Sequence, residues 1–163
     1  MDILATVILL AGVVDDLRSQ KVHNKLIIFL FLLTVVAIVF LSGPIALLSS
    51  SLGFFMALAF SIPLVLVGVL GGGDMKLFAV FGLATNVSAV LGVAVYSIFW
   101  GALLGVVRAL ISGQFKALML STTHLLWAKG GSTATEFKIP YTIALFFGWL
   151  THMTLLHMGV SPW

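Results

Sequence analysis

The sequence GGGDMK at residues 71–76 lies between two long stretches that contain no charged side chain, residues 45–70 and residues 77–107. Stretches of this length and polarity are typical of membrane-spanning helices, so Asp74 is predicted to lie in or beside a membrane. An ionised carboxylate in that environment costs several kcal/mol, so such an acid usually has a partner and a function. The three glycines allow the backbone to turn tightly and another segment to approach closely.

The composition places the chain among multi-pass membrane proteins. Of its 163 residues, 61% are hydrophobic and only 8% are charged, whereas a soluble domain usually carries about 25% charged residues. We therefore expect a single transmembrane domain over residues 1–163, with no room for a second, soluble one. The absence of cysteine excludes a disulfide framework, a zinc knuckle and a thiol nucleophile. The basic residues are spread along apolar spans, which indicates membrane orientation rather than nucleic-acid binding.

The lengths of the apolar segments predict where the helices run. Residues 3–14 are apolar but too few to cross a hydrocarbon core of about 30 Å, so the first helix must continue through the aspartates that follow. The second, third and last spans are predicted at residues 26–41, 45–70 and 139–158.

The stretch 77–107 can form one tilted helix, or two spans separated by the polar residues 85–88. With a break there, all eight Lys and Arg residues fall on one side of the membrane. Cytoplasmic loops carry an excess of basic residues, which favours the break. The predicted fold is therefore all-α, with six transmembrane helices, a short fourth helix and both termini outside the cytoplasm. Between spans five and six, residues 112–138 are predicted to carry an interfacial helix, because the apolar run there is short and interrupted by polar residues.

Helix counting places Asp16 and Asp74 at similar depth, towards the cytoplasmic leaflet. Asp16 lies 13 residues, about 20 Å of helix, from Ile3, and Asp74 lies 12 residues, about 18 Å, from the turn at Asn86. Two carboxylates in this arrangement can hydrolyse a peptide bond, since an ionised one takes a proton from water and a protonated one donates to the carbonyl oxygen. Because a helix N-terminus favours the ionised form of Asp74, Asp16 is expected to hold the proton.

Three segments resemble motifs of a known protease family. Residues 71–76 resemble the GxGDxK motif of prepilin peptidases, a group of GxGD membrane aspartic proteases. Residues 16–24 are similar to the D-x-R-x5-N stretch after the first helix of that family, and residues 138–141 are similar to its basic-x-Pro-aromatic opening of the last helix. One departure is His23, which stands where the family usually has proline.

The resemblance implies an aspartic endopeptidase whose catalytic residues are Asp16 and Asp74. The other matching residues are implied to position these acids or the substrate; they are Arg18, Asn24, Gly71, Gly73 and Lys76. The implied substrate is a prepilin or pilin-like precursor, cleaved at the cytoplasmic face of the bacterial inner membrane without a metal, a cofactor or nucleic acid. The length resembles the small peptidases of Flp (tight-adherence) pili. Larger relatives that also N-methylate their product carry paired cysteines, so cleavage without methylation is expected.

Several alternatives stay open. Asp15 can replace Asp16 as the catalytic acid, although the motif spacing favours Asp16. A proton-coupled transporter or channel component would explain intramembrane carboxylates but not the motifs. A presenilin-like protease shares GxGD, but its partner acid usually lies in a Tyr-Asp pair that residues 14–16 lack. Lys76 is expected either to bind substrate or to reach the membrane interface. Four further side chains are expected to be structural, interfacial or solvated: His124, Glu136, His152 and His157.

Overall fold

The computed structural model describes residues 1–19, 22–68, 70–111 and 141–159. Within these residues the chain forms six helices and no strand, so the predicted all-α class is confirmed. The helices are α1 (Asp2–Ser19), α2 (Asn24–Ser42), α3 (Ala46–Leu66), α4 (Gly72–Ala84), α5 (Val87–Ile111) and α6 (Tyr141–His157). The interfacial helix predicted at residues 112–138 lies outside the described residues, as do residues 139–140 at the start of the last predicted span.

Three of the described helices are long and apolar enough to cross a membrane, at Asn24–Ser42, Ala46–Leu66 and Val87–Arg108. Large apolar side chains on these helices are exposed, for example Phe40 and Leu66 at more than 80% of their surface. Such surfaces are stable in lipid but not in water. The chain is therefore a multi-pass membrane protein.

Helix α3 is shorter than the apolar stretch predicted for the third span, which extends to residue 70. It ends at Leu66 because Gly68 adopts the left-handed conformation, with φ of 80°, and donates its N–H to the carbonyl of Val65 at 3.0 Å. A glycine in this conformation commonly ends a helix because it carries no Cβ. The early end leaves room for a turn before α4 begins at Gly72.

The predicted break inside residues 77–107 is confirmed. Helix α4 ends at Ala84 and α5 begins at Val87. The side chain of Asn86 caps the new helix, since its Oδ1 accepts a hydrogen bond from the N–H of Ala89 at 2.8 Å. The polar residues at this point therefore satisfy backbone groups that a continuous helix would have satisfied internally.

Helix α4 has 13 residues and lies at the centre of the molecule. It packs against the five other described helices, and every residue from Leu77 to Ala84 is buried. A helix that is apolar on all sides is stable only where other elements cover all of them. The ring of Phe81 meets Trp149 of α6 edge to face, with centroids 5.1 Å apart. The short fourth helix that the sequence predicts is thus the core around which the others pack.

Glycines set the distance between α4 and two of its neighbours. Gly53 of α3 lies directly against Gly82 of α4, and a Cβ on either residue would collide with the backbone of the other. Gly12 of α1 lies directly against the side chain of Leu77 of α4. Small residues at such crossings let helix backbones approach closely within a membrane. These contacts fix α4, and with it Asp74, relative to α1 and α3.

Helix α6 is held between α1 and α5 by hydrogen bonds from its middle onward. The indole N–H of Trp149 donates to Thr6 of α1, and Trp100 of α5 donates to Thr151, each at 2.9 Å. His152 is buried against Gly92 of α5. These contacts determine how far α6 extends along its neighbours, and therefore which residues its first turn brings to the acids.

Candidate active site

The two acids singled out in the sequence lie near each other in the folded chain. Asp16 lies in the last part of α1 and is buried, with 8% of its surface exposed. Asp74 lies in the first turn of α4 and is partly buried. The carboxyl groups are close enough for their negative charges to repel each other. Because α1 and α4 pack directly together, two residues from separate helices form one site.

The start of α4 places the Asp74 carboxylate. Gly71 is the N-cap residue, with extended backbone angles of −77° and 147°, and Asp74 is the third residue of the helix. From this position the carboxylate reaches back and accepts a hydrogen bond from the N–H of Gly71. The first N–H groups of a helix have no partner within it, and an acid at this position satisfies one of them. The GGGD sequence thus both begins helix α4 and orients the carboxylate of Asp74.

The first and third glycines of this stretch have different neighbours. A Cβ at Gly71 would lie 3.1 Å from Oδ2 of Asp74, whereas one at Gly73 would lie 3.2 Å from Cβ of Val22 and 3.3 Å from its carbonyl oxygen. A Cβ at Gly72 would meet nothing within 4 Å. The space at Gly71 accommodates the Asp74 carboxylate, and the space at Gly73 accommodates the segment that follows α1.

Two further motif residues contact each other. The Nζ of Lys76 donates a hydrogen bond to Oδ1 of Asn24 at 3.0 Å, and both side chains are exposed. Lys76 therefore bonds to another residue of the chain. Neither of the roles expected from the sequence, binding substrate or reaching the membrane interface, included this bond. Together with the contact between Gly73 and Val22, this bond holds the start of α2 against the start of α4.

Asp15 has a different environment from Asp16. Its Oδ2 accepts the backbone N–H of His23 at 2.7 Å, and its Oδ1 lies 3.0 Å from Nδ1 of the same residue. Asp15 thus connects the last part of α1 to His23, the residue before α2. Arg18 is exposed in the last turn of α1, and its charge acts on Asp15. Geometry and motif spacing agree in associating Asp16, not Asp15, with Asp74.

The structure adds a residue that the sequence analysis did not single out. The hydroxyl of Thr142, in the first turn of α6, donates to Oδ2 of Asp16 at 2.7 Å. Its neighbour Tyr141 shares a buried hydrogen bond with Ser97 of α5 at 2.9 Å, and its hydroxyl is close enough to interact with the charge of Asp74. The sequence offered one signal for Thr142, which is that this polar residue directly follows the motif at residues 138–141.

The site as described consists of two carboxylates, each with one hydrogen-bond donor from the protein. Thr142 donates to Asp16, and Gly71 donates to Asp74. Among the described residues there is no group of three or more histidine, aspartate or glutamate side chains that could hold a metal ion. Such a pair can perform general acid–base catalysis, because close carboxylates share a proton.

Comparison with known proteins gives one match. A model of the type IV leader peptidase family matches residues 3–106. The matched part contains both acids, α1 from its second residue, all of α2 to α4 and most of α5, whereas α6 lies beyond it. No curated protein and no solved structure matches the chain.

Proposed function

Because the chain belongs to the type IV leader peptidase family, and is thus a protease of the leader-peptidase type, we propose that Asp16 and Asp74 are its catalytic pair. The observation that supports this proposal is that the two acids lie near enough to repel each other across the interface of α1 and α4, within the part that matches the family. We propose further that the enzyme removes the leader peptide of prepilin or pilin-like precursors.

The proposed reaction uses the two carboxyl groups in opposite protonation states. The ionised acid takes a proton from water while the water oxygen bonds to the scissile carbonyl carbon, and the protonated acid gives its proton to the carbonyl oxygen. When the resulting tetrahedral intermediate breaks its C–N bond, the first acid protonates the leaving amine. The second acid recovers its proton from the intermediate's hydroxyl group. One water is consumed, and both acids return to their starting states.

Contacts around the pair keep this geometry. Gly71 leaves room for the Asp74 carboxylate, and the bonds from Lys76 to Asn24 and from His23 to Asp15 hold the turn between α1 and α2 against α4. We assign positioning roles to Asn24, Gly71 and Lys76 on this basis. A catalytic group that is displaced by about 1 Å can lose two orders of magnitude in rate.

The proposed topology has six membrane crossings with the acids towards the cytoplasm. It rests on four basic residues near helix ends: Arg18, Lys25, Lys76 and Arg108. If the chain crosses the membrane six times, these four helix ends all lie on the same side, as is usual for the cytoplasmic side. A precursor with a basic leader and an apolar helix would lay that helix among the spans and present the leader junction to the acids. The 163 residues contain no cysteine, and we propose, from the resemblance to the small Flp-type peptidases, that the product is not methylated.

The dyad is tested by single replacements in the full chain. Asp16→Asn and Asp74→Asn each keep the side-chain size but remove proton exchange, so each should lower cleavage of a co-expressed precursor by about 10²- to 10⁴-fold. The double replacement should add little, because groups that act as a unit are not additive. Mass spectrometry of the matured pilin measures both the cut and the N-terminal amine.

The matched control is Asp15→Asn, which should keep most activity because the amide oxygen can still accept the N–H of His23. Enzyme amounts are equalised by immunoblot so that a lower protein level is not mistaken for a lower catalytic activity. Normal processing by Asp74→Asn would reject the protease mechanism in favour of a proton-relay role for the acids. A methylated product that depends on this chain alone would reject the cleavage-only proposal.

A further inference from the structure

Thr142 connects the last helix to the candidate site. Its side chain is fully buried, and its hydroxyl donates to Oδ2 of Asp16 across 126 residues of sequence. Helix α6, which carries it, lies outside the part of the chain that matches the family model. The bonds from Trp149 to Thr6 and from Trp100 to Thr151 hold α6 against α1 and α5, so the position of Thr142 is set by packing along the whole helix.

The partner of Thr142 differs from those of two other buried hydroxyl residues, Thr34 and Ser61. The buried Ser97 also bonds across helices, but to the hydroxyl of Tyr141 and not to an acid. Thr34 is equally buried, but its hydroxyl donates to the carbonyl of Leu30 in its own helix at 2.7 Å. Ser61 likewise donates to Ala57 at 2.6 Å. Such bonds within a helix are the usual way for Ser and Thr to satisfy their hydroxyl groups in apolar surroundings. The hydroxyl of Thr142 instead crosses to another helix and meets an acid.

We propose that Thr142 is a positioning residue that holds the Asp16 carboxylate in its working orientation, an inference that rests on the proposed protease function. A carboxylate rotates readily about its last side-chain bond. With Oδ2 held by Thr142, Oδ1 is the oxygen that exchanges protons with water and with the substrate. Thr142 itself does not touch the substrate. Helix α6 then supplies part of the catalytic unit as well as part of the packing.

The test compares cleavage kinetics of the purified full-length enzyme on a precursor peptide that includes the leader junction. Thr142→Val keeps the shape but removes the hydroxyl, and it should lower kcat about 10- to 100-fold, the loss expected for a hydrogen bond to a charged group. KM should change less than about twofold, because ground-state binding is not involved. Thr142→Ser restores the donor and should recover most of kcat. Thr34→Val removes an equally buried hydroxyl away from the acids and should leave kcat near the wild-type value.

A second measurement detects the bond without relying on activity. Thermal unfolding is followed for Thr142→Val alone, Asp16→Ala alone and both together. If the hydroxyl contacts Asp16, Thr142→Val should change Tm in the wild-type background and much less in the Asp16→Ala background.

The outcomes separate this inference from the function on which it rests. Unchanged kcat in Thr142→Val, a rise in KM alone, or failure of Thr142→Ser to recover activity would overturn the positioning role while leaving the protease assignment in place. Equal Tm changes in both backgrounds would also overturn it. A wild-type enzyme that cleaves no precursor, together with coupled Tm changes, would instead reject the proposed function and with it the positioning role of Thr142, and would leave only a structural bond.

Discussion

At the scale of single residues, small differences in surroundings separate neighbours that look equivalent in the sequence. Asp15 and Asp16 are adjacent, yet one bonds to the turn after α1 and the other meets Thr142. Gly72 and Gly73 are adjacent as well, yet only Gly73 faces another segment at close range. The reason is that successive residues of a helix point about 100° apart and therefore meet different neighbours.

Gly73→Ala should lower both stability and cleavage, whereas Gly72→Ala should leave them nearly unchanged. The added Cβ at residue 73 would press on both backbone and side chain of Val22, at 3.2–3.5 Å, and Val22 is itself buried. Overpacking of this kind costs about 1–3 kcal/mol, and here it would displace the start of α4. We expect a lower Tm and at least a tenfold loss of cleavage for Gly73→Ala. Gly72→Ala has open space and serves as the control; equal losses in both variants would contradict this account.

His23, the residue before α2, stands where the family that the sequence resembles usually has proline. Its φ of −73° and ψ of 135° lie where proline would also place the backbone. Its N–H, which proline would lack, donates to Asp15. We infer that the bonds to Asp15 take over the restraint that a proline ring would supply.

This inference predicts that Asp15 matters only while residue 23 has an N–H. Asp15→Ala should destabilise the wild-type chain by about 1 kcal/mol, the usual net contribution of one hydrogen bond. In a His23→Pro background the same change should have little effect, and His23→Pro alone should be tolerated because its φ fits. Thermal unfolding of the four proteins checks the prediction. A cost for Asp15→Ala that is the same in both backgrounds would disprove it.

At the scale of helices, α4 is the element on which the site depends. Its 13 residues are too few to cross a hydrocarbon core of about 30 Å, and its buried segment is covered by the other helices that the structure describes. An acid in its first turn can therefore lie within the molecule rather than beyond the membrane surface. The close crossing of Gly53 and Gly82 sets the depth and angle of this helix.

Gly53→Ala should weaken the fold through that crossing. The new Cβ would overlap the carbonyl of Gly82, which cannot rotate away as a flexible side chain could. We expect a loss of about 1–3 kcal/mol, measured as a lower Tm in detergent, with a parallel loss of cleavage. Leu52→Ala changes the neighbouring residue, whose side chain is 62% exposed, and should leave both quantities nearly unchanged. A wild-type Tm for Gly53→Ala would show that α3 and α4 can separate without cost.

At the scale of the whole molecule, the arrangement across the membrane determines which side supplies the substrate. The chain contains no cysteine, so each introduced cysteine is the only thiol in its variant. Under the proposed topology, a cysteine at Ser42 should react with an impermeant thiol reagent added outside intact cells. One at Ser132 should react only after the membrane is opened. Labelling of Ser132→Cys from outside would contradict six crossings with a cytoplasmic active site.

Local sequence features were enough to predict much of the fold and the two acids. The apolar segments predicted the helices because a membrane requires long runs without charge. The polar residues at 85–88 predicted the end of α4, because a break there places all eight Lys and Arg residues on one side of the membrane. The motifs around Asp16 and Asp74 predicted the family, which the match over residues 3–106 confirms. Their catalytic role stays a prediction, as do the six crossings.

The contacts that organise the site could not be read from the sequence. Thr142 and Asp16 are 126 residues apart, and Lys76 and Asn24 are 52 apart. Which residues meet over such separations depends on where helices cross and how far each extends along its neighbours. Those quantities follow from the summed packing of whole helix faces, such as Gly53 against Gly82 and Trp149 against Phe81, and no local pattern records them. The sequence alone therefore determined the helices and the two acids, whereas only the tertiary structure decided that the last helix reaches the site through Thr142.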